Sequence, residues 1–223
     1  MMKNIKNMIM RNYLLLAASF LLASCSPKLM PAPNYDRNVP DCVFMGNSIT
    51  EIWHNTRESF FVDNNFVSVG IGGQTTAQMR ERFADDVISK SPKVVSIMGG
   101  INDIAQNQGY VSNEDIMKNI AAMAEMARKA KIKVILCSVL PADVIGWNPS
   151  VRPAALVKDL NERISNYARN HDMIYLDYYS RFVTASGGLP QELTVDGVHA
   201  TPQCYEQMEQ MFVETITPLL GGK

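Results

Sequence analysis

The chain has 223 residues, 47% of them hydrophobic and 19% charged, with a net charge of −1. That length and balance suit one well-buried globular domain. They argue against nucleic acid as a partner, because phosphate binding calls for clustered Lys and Arg and the chain has no basic tract.

The first stretch reads differently from the rest. Met1 to Asn12 carries Lys3, Lys6 and Arg11 and no acid, Tyr13 to Ala23 is apolar, and small residues lead into Cys25. That order is that of an export signal, and the apolar run is too short to cross a bilayer comfortably. Leu22-Ala23-Ser24-Cys25 resembles the lipobox of bacterial lipoproteins. The resemblance implies cleavage of residues 1–24, lipid attachment at Cys25 and a periplasm-facing protein held on a membrane. Ser26-Pro27-Lys28 opens a polar tether through Pro40, and residues 41–223 form the expected domain. Loss of the three leader cations takes the net charge from −1 to −4. Beyond Cys25 remain Cys42, Cys137 and Cys204, an odd number that cannot all pair. Cys42 and Cys137 fall in apolar strand candidates and read as small buried hydrophobes.

From residue 41 onward strand-like and helix-like stretches alternate, which predicts a parallel sheet in an α/β domain. Strands are expected near 42–45, 66–70, 93–98, 133–139 and 173–177. Helices are expected near 50–60, 75–90, 113–131 and 153–170, with a last one from Pro202 to about Ile216. The 113–131 helix shows Ile116, Ile120, Met123, Ala127 and Ala130 on one face, with Ser112 and Asp115 spaced as a cap. Thr201 followed by Pro202 marks the last start. Right-handed crossovers with the first strand in the middle fit the order 2-1-3-4-5. The loops after the first three strands then converge on one crevice.

Those loops carry Gly46-Asn47-Ser48, Gly70-Ile71-Gly72-Gly73-Gln74-Thr75 and Gly99-Gly100-Ile101-Asn102-Asp103, with Asp196-Gly197-Val198-His199 far down the chain. A serine that attacks a carbonyl needs a base, an orienting group for that base and donors for the oxyanion. Ser48 is the candidate nucleophile, though a serine after a strand also suits a helix cap. His199 is the candidate base and Asp196 its orienting acid. A backbone N–H at Gly73 and the Asn102 amide are candidate oxyanion donors. Of the other histidines, His171 is expected at the opposite sheet edge, and His54 toward solvent or core.

Taken in order, Gly46-Asn47-Ser48-Ile49, Gly73-Gln74-Thr75, Gly100-Ile101-Asn102-Asp103 and Asp196-Gly197-Val198-His199 resemble the four blocks of the SGNH (GDSL-like) hydrolases. The resemblance spans the mature domain. It implies a three-layer, flavodoxin-like α/β/α fold without metal or cofactor. It also implies a Ser48, Asp196 and His199 triad, an oxyanion hole of Ser48 and Gly73 N–H with the Asn102 amide, and esterase, lipase, thioesterase or carbohydrate deacetylase chemistry. Asn47 departs from the pattern, standing where the eponymous block has aspartate. Gly70-Ile71-Gly72-Gly73 is only weakly like a dinucleotide-binding turn, since Thr75-Thr76 stands where its last glycine would be. Trp147, in the long loop 141–153, reads either as a rim for a sugar ring or as a surface tryptophan packing that loop on the body. The resemblance, with no extended apolar segment in the sequence to serve as a lipid lid, implies a short ester as substrate, most of all an O-acetyl group on a carbohydrate or other small molecule. A lysophospholipase or thioesterase acting on longer chains is the enzymatic rival, and a glycan-binding lipoprotein without turnover the non-enzymatic one.

Overall fold

The computed structural model describes residues 39–221. The expected signal, Cys25 and all but the last two residues of the tether lie outside them. In chain order the elements are β1 (Cys42–Gly46), α1 (Ser48–Thr56), α2 (Glu58–Asp63), β2 (Phe66–Gly70), α3 (Thr76–Asp86), β3 (Val94–Met98), α4 (Ile101–Ile104) and α5 (Asn113–Lys129). There follow β4 (Lys133–Cys137), α6 (Pro153–Asn170), β5 (Ile174–Leu176), α7 (Tyr178–Phe182) and α8 (Pro202–Ile216).

The five strands are parallel and run in the order β2-β1-β3-β4-β5. Their apolar runs are continuous because helices cover both faces. One layer holds α1, α2 and α8. There Phe44 of β1 meets Trp53, Phe60, Phe61, Phe66 and Phe212 at centroid distances of 4.5–6.4 Å. The other layer holds α3, α5 and α6, with Met79, Phe83, Ile116, Ile120, Met123, Val157 and Leu160 buried. Cys42, Cys137 and Cys204 are buried free thiols.

Several boundaries differ from expectation, each for an identifiable reason. The helix expected over 50–60 starts at Ser48 and breaks at Arg57, whose side chain turns inward to Glu209. The strand expected to reach 139 ends at Cys137. Beyond it the Asn161 amide takes over as a pairing partner, accepting from Val139 N–H at 2.8 Å and donating to its carbonyl at 2.9 Å. The helix over 75–90 stops at Asp86 and tightens into a single turn over Ile88–Lys90, closed by Ser91 at φ 48°. On α5, Ser112 caps as expected, accepting from Asp115 N–H at 3.1 Å, but Ala130 lies past the helix end and is exposed. Thr201 accepts from Cys204 N–H and caps α8.

Candidate active site

β1 ends at Gly46 because the chain turns back on itself there. A Cβ on Gly46 would stand 2.0 Å from Thr50 Oγ1 and 2.6 Å from Thr50 Cβ, so only glycine lets the first turn of α1 close over the strand end. Asn47 caps that helix, its Oδ1 accepting from Ile49 N–H at 3.2 Å. The cap is therefore Asn47 and not Ser48, and a neutral amide suffices for it. Ser48 becomes the first residue of α1, with its hydroxyl left for other work.

That hydroxyl lies 3.0 Å from His199 Nε2. On the far side of the ring, Nδ1 lies 2.7 Å from Asp196 Oδ2. With the Nδ1 proton shared with the carboxylate, Nε2 presents its lone pair to Ser48. Asp196 is itself braced, because its Oδ1 accepts from the backbone N–H groups of Val198 at 3.0 Å and His199 at 2.8 Å. Partial burial acts to raise the Asp196 pKa, but those N–H groups and the His199 ring outweigh it and hold the carboxyl below its usual range. Gly197, at φ 91°, makes the tight turn possible, and Val195 N–H donates to the His199 carbonyl at 2.8 Å to close it.

His199 and Ser48 meet where two helices are joined. α8 begins three residues after His199 and α1 begins at Ser48. Tyr205 donates its hydroxyl to the Ile49 carbonyl at 2.9 Å. Glu209, wholly buried on α8, accepts from Trp53 Nε1 at 3.2 Å and from Arg57 Nε and Nη2 at 2.9 Å each. Arg57 also reaches the half-exposed Glu206 at 2.9 Å.

The loops after β2 and β3 meet over the end of β1, as the strand order predicts. Asn102 is buried, and its Nδ2 donates to the Gln74 carbonyl at 3.0 Å, leaving a second amide hydrogen. Gly73 is exposed and left-handed at φ 75°. Asp103 reaches across to α3. It accepts from Thr76 N–H and hydroxyl at 2.7–3.1 Å beside the Thr75 cap of α3, while burial lifts its pKa against the pull of its hydrogen bonds. Arg82 of α3 donates to the Gly46 carbonyl at 3.1 Å and to Gln74 Oε1 at 2.6 Å, binding the same loops from behind. Trp147 is 45% exposed, with its ring centroid 5.9 Å from that of His199. His171 stacks on Tyr167 at the end of α6, and His54 packs on Phe61; neither joins Ser48.

A family model, the GDSL-like lipase/acylhydrolase family, matches residues 44–207. The chain belongs to that family. It is an ester hydrolase. A GDSL-like lipase from Bacteroides thetaiotaomicron VPI-5482 is 36% identical, superposes with a TM-score of 0.79, and the match covers 96% of this chain and 98% of that one. A Bacteroides fragilis NCTC 9343 protein classed as a candidate acylhydrolase is 38% identical at a TM-score of 0.80, covering 97% of each chain. The uncharacterized lipoprotein YqeF of Bacillus subtilis (strain 168) is 28% identical over 165 residues, 62% of this chain and 68% of its own length. Within this acylhydrolase, sequence reasoning passed over the α1–α8 joint and over Asn107, whose side-chain amide accepts from Trp147 Nε1 at 2.9 Å and donates to the Gly73 carbonyl at 3.1 Å. Asn107 lies in a polar turn with no periodic signal, and the Trp53, Arg57 and Glu209 partners are more than 150 residues apart.

Proposed function

We propose that this family member is a serine esterase of short acyl groups, above all O-acetyl on carbohydrates, acting through Ser48, His199 and Asp196. The observation that carries the reading is the unbroken line from Ser48 Oγ to His199 Nε2 at 3.0 Å and from Nδ1 to Asp196 at 2.7 Å. His199 takes the Ser48 proton as Oγ attacks the ester carbonyl. The negative oxygen is received by the Ser48 N–H, which stands at a helix start and has no acceptor within the helix, by the Gly73 N–H and by the second Asn102 amide hydrogen. His199 then returns the proton to the leaving alcohol as the ester C–O bond breaks. Water, deprotonated by the same imidazole, releases the acid and restores Ser48.

Trp147 supports a sugar alcohol. A flat, half-exposed indole beside the imidazole flanks the place where the leaving alcohol must collect its proton. The lipobox-like stretch, together with the lipoprotein relative, supports cleavage before Cys25, a tether over 25–40 and a membrane-anchored enzyme domain over 41–223. The test is hydrolysis of acetylated glycans beside acetyl, octanoyl and palmitoyl nitrophenyl esters, with Ser48→Ala as control. Full activity in Ser48→Ala would remove the mechanism. A preference for palmitoyl over acetyl would transfer the reading to longer chains.

A further inference from the structure

The loops after β2, β3 and β4 are joined by side-chain bonds that pass through Asn107. Trp147 Nε1 donates to Asn107 Oδ1 at 2.9 Å, and Asn107 Nδ2 donates to the Gly73 carbonyl at 3.1 Å. Both ends of one amide are thus engaged, one by the rim and one by the oxyanion loop. Asn107 is held in its turn, because its own N–H donates to the Asn102 carbonyl at 3.0 Å. The neighbouring Asn148 donates to the Ala105 carbonyl at 3.0 Å, which fastens the Trp147 loop to the same segment.

Gly73 needs such a hold. Its φ is 75°, and a Cβ built there would meet nothing within 4 Å, so packing does not fix its orientation. The peptide plane that follows it is held at the carbonyl by Asn107, while Gln74 N–H reaches the Ile71 carbonyl at a long 3.4 Å. The Gly73 N–H lies in the preceding peptide plane, so anchoring the Gly73 carbonyl narrows the φ and ψ through which that N–H is presented. At the other end, the bond from Nε1 fixes the rotation of an indole that would otherwise be free to turn beside His199.

We propose that Asn107 is a positioning residue that makes the Trp147 rim and the Gly73 oxyanion donor one rigid unit. The proposal rests on the reading of Ser48 as nucleophile. Its consequence is that a rim side chain governs turnover of substrates too small to touch it. Ordinary stacking by Trp147 would instead govern only the KM of ring-bearing substrates.

Full-length protein is assayed on ethyl acetate, which offers no ring to stack, as wild type, Asn107→Ala, Trp147→Phe, the double variant and Ser48→Ala. Trp147→Phe keeps an aromatic face while removing the N–H donor and the pyrrole ring that carries it. A misplaced oxyanion donor predicts kcat about 10-fold lower for Asn107→Ala, with KM within about twofold. Trp147→Phe lowers kcat about threefold, and the double variant is no slower than Asn107→Ala alone, because both changes cut the same connection. Unchanged kcat in both single variants, changes confined to KM, or effects that multiply in the double variant would each overturn the proposal. Ser48→Ala separates the two levels. Activity surviving in it removes the site reading and this proposal together, whereas an inactive Ser48→Ala beside a fully active Asn107→Ala removes the proposal alone.

Discussion

Replacing Glu209 by alanine tests the joint that brings His199 to Ser48. The Glu209 side chain is fully buried and accepts three hydrogen bonds, two from Arg57 and one from Trp53. Arg57 is only 8% exposed, and Glu209, ahead of the opposing cost of burial, holds its pKa above the usual range. Removing one partner of a buried pair costs about 3–5 kcal/mol, because the remaining charge stays out of water. Glu206 still reaches Arg57 from a half-solvated position, which trims the loss, while the Trp53 N–H is stripped of its acceptor at about 1–3 kcal/mol. The net expectation is about 4 kcal/mol. In a domain of this size each kcal/mol moves Tm by about 2–4 °C, so the fall should be about 8–16 °C. Calorimetry and urea titration measure it directly. Glu209→Gln keeps the volume and one acceptor and should lose about half as much. The paired change Arg57→Met with Glu209→Leu removes both charges and should be more stable than Glu209→Ala. A loss below about 1 kcal/mol for Glu209→Ala would show that packing alone holds α8 on α1, and the argument from the ion pair would fall.

Other outcomes follow from the same geometry. Ser48→Ala or His199→Ala should lower kcat by roughly 10⁴-fold or more, and Asn102→Ala by about 10² to 10³-fold, read by steady-state kinetics with folding checked by circular dichroism. Asn47→Ala should cost about 1 kcal/mol by loss of the α1 cap, measured by denaturant unfolding, whereas Asn47→Asp, which keeps an acceptor at the helix start, should cost less. Because the Asp196 pKa is depressed in the fold, its contribution to stability is complete above the ordinary carboxyl value of about 3.9 and fades as pH falls toward the lower folded value. The Tm gap between wild type and Asp196→Asn should therefore narrow on acidification below that point. From the proposed lipid attachment, which rests on the Leu22–Cys25 sequence alone, Cys25→Ser should move the protein from the membrane pellet to the soluble fraction and abolish labelling by a fatty-acid analogue.

Much of the fold was legible because its signals are local. A short apolar run closed by glycine marks β1, a Ser112 cap with a repeating apolar face marks α5, and Thr201-Pro202 marks the start of α8. The strand order then followed from handedness, and with it the meeting of the first three loops. What stayed hidden was long-range. Nothing near Arg57 announces that its helix breaks there, since the cause is Glu209 on the last helix. Nothing after Cys137 says that Asn161 will take the place of a neighbouring strand. Ser48 read equally as a helix cap in the sequence, and only the structure shows that Asn47 fills the capping position. Ala130 shows the opposite error, a periodic pattern extended one step past the residue where the helix stops.

A sheet whose strands all point the same way has a front and a back. Every strand here leaves its last residue at the front, where Ser48 stands, and the chain enters β1 from behind, one strand length of roughly 13 Å away. Anything that grips this enzyme by its leading residues holds it by the heel. The edge that carries Ser48 then lies on the side away from that grip.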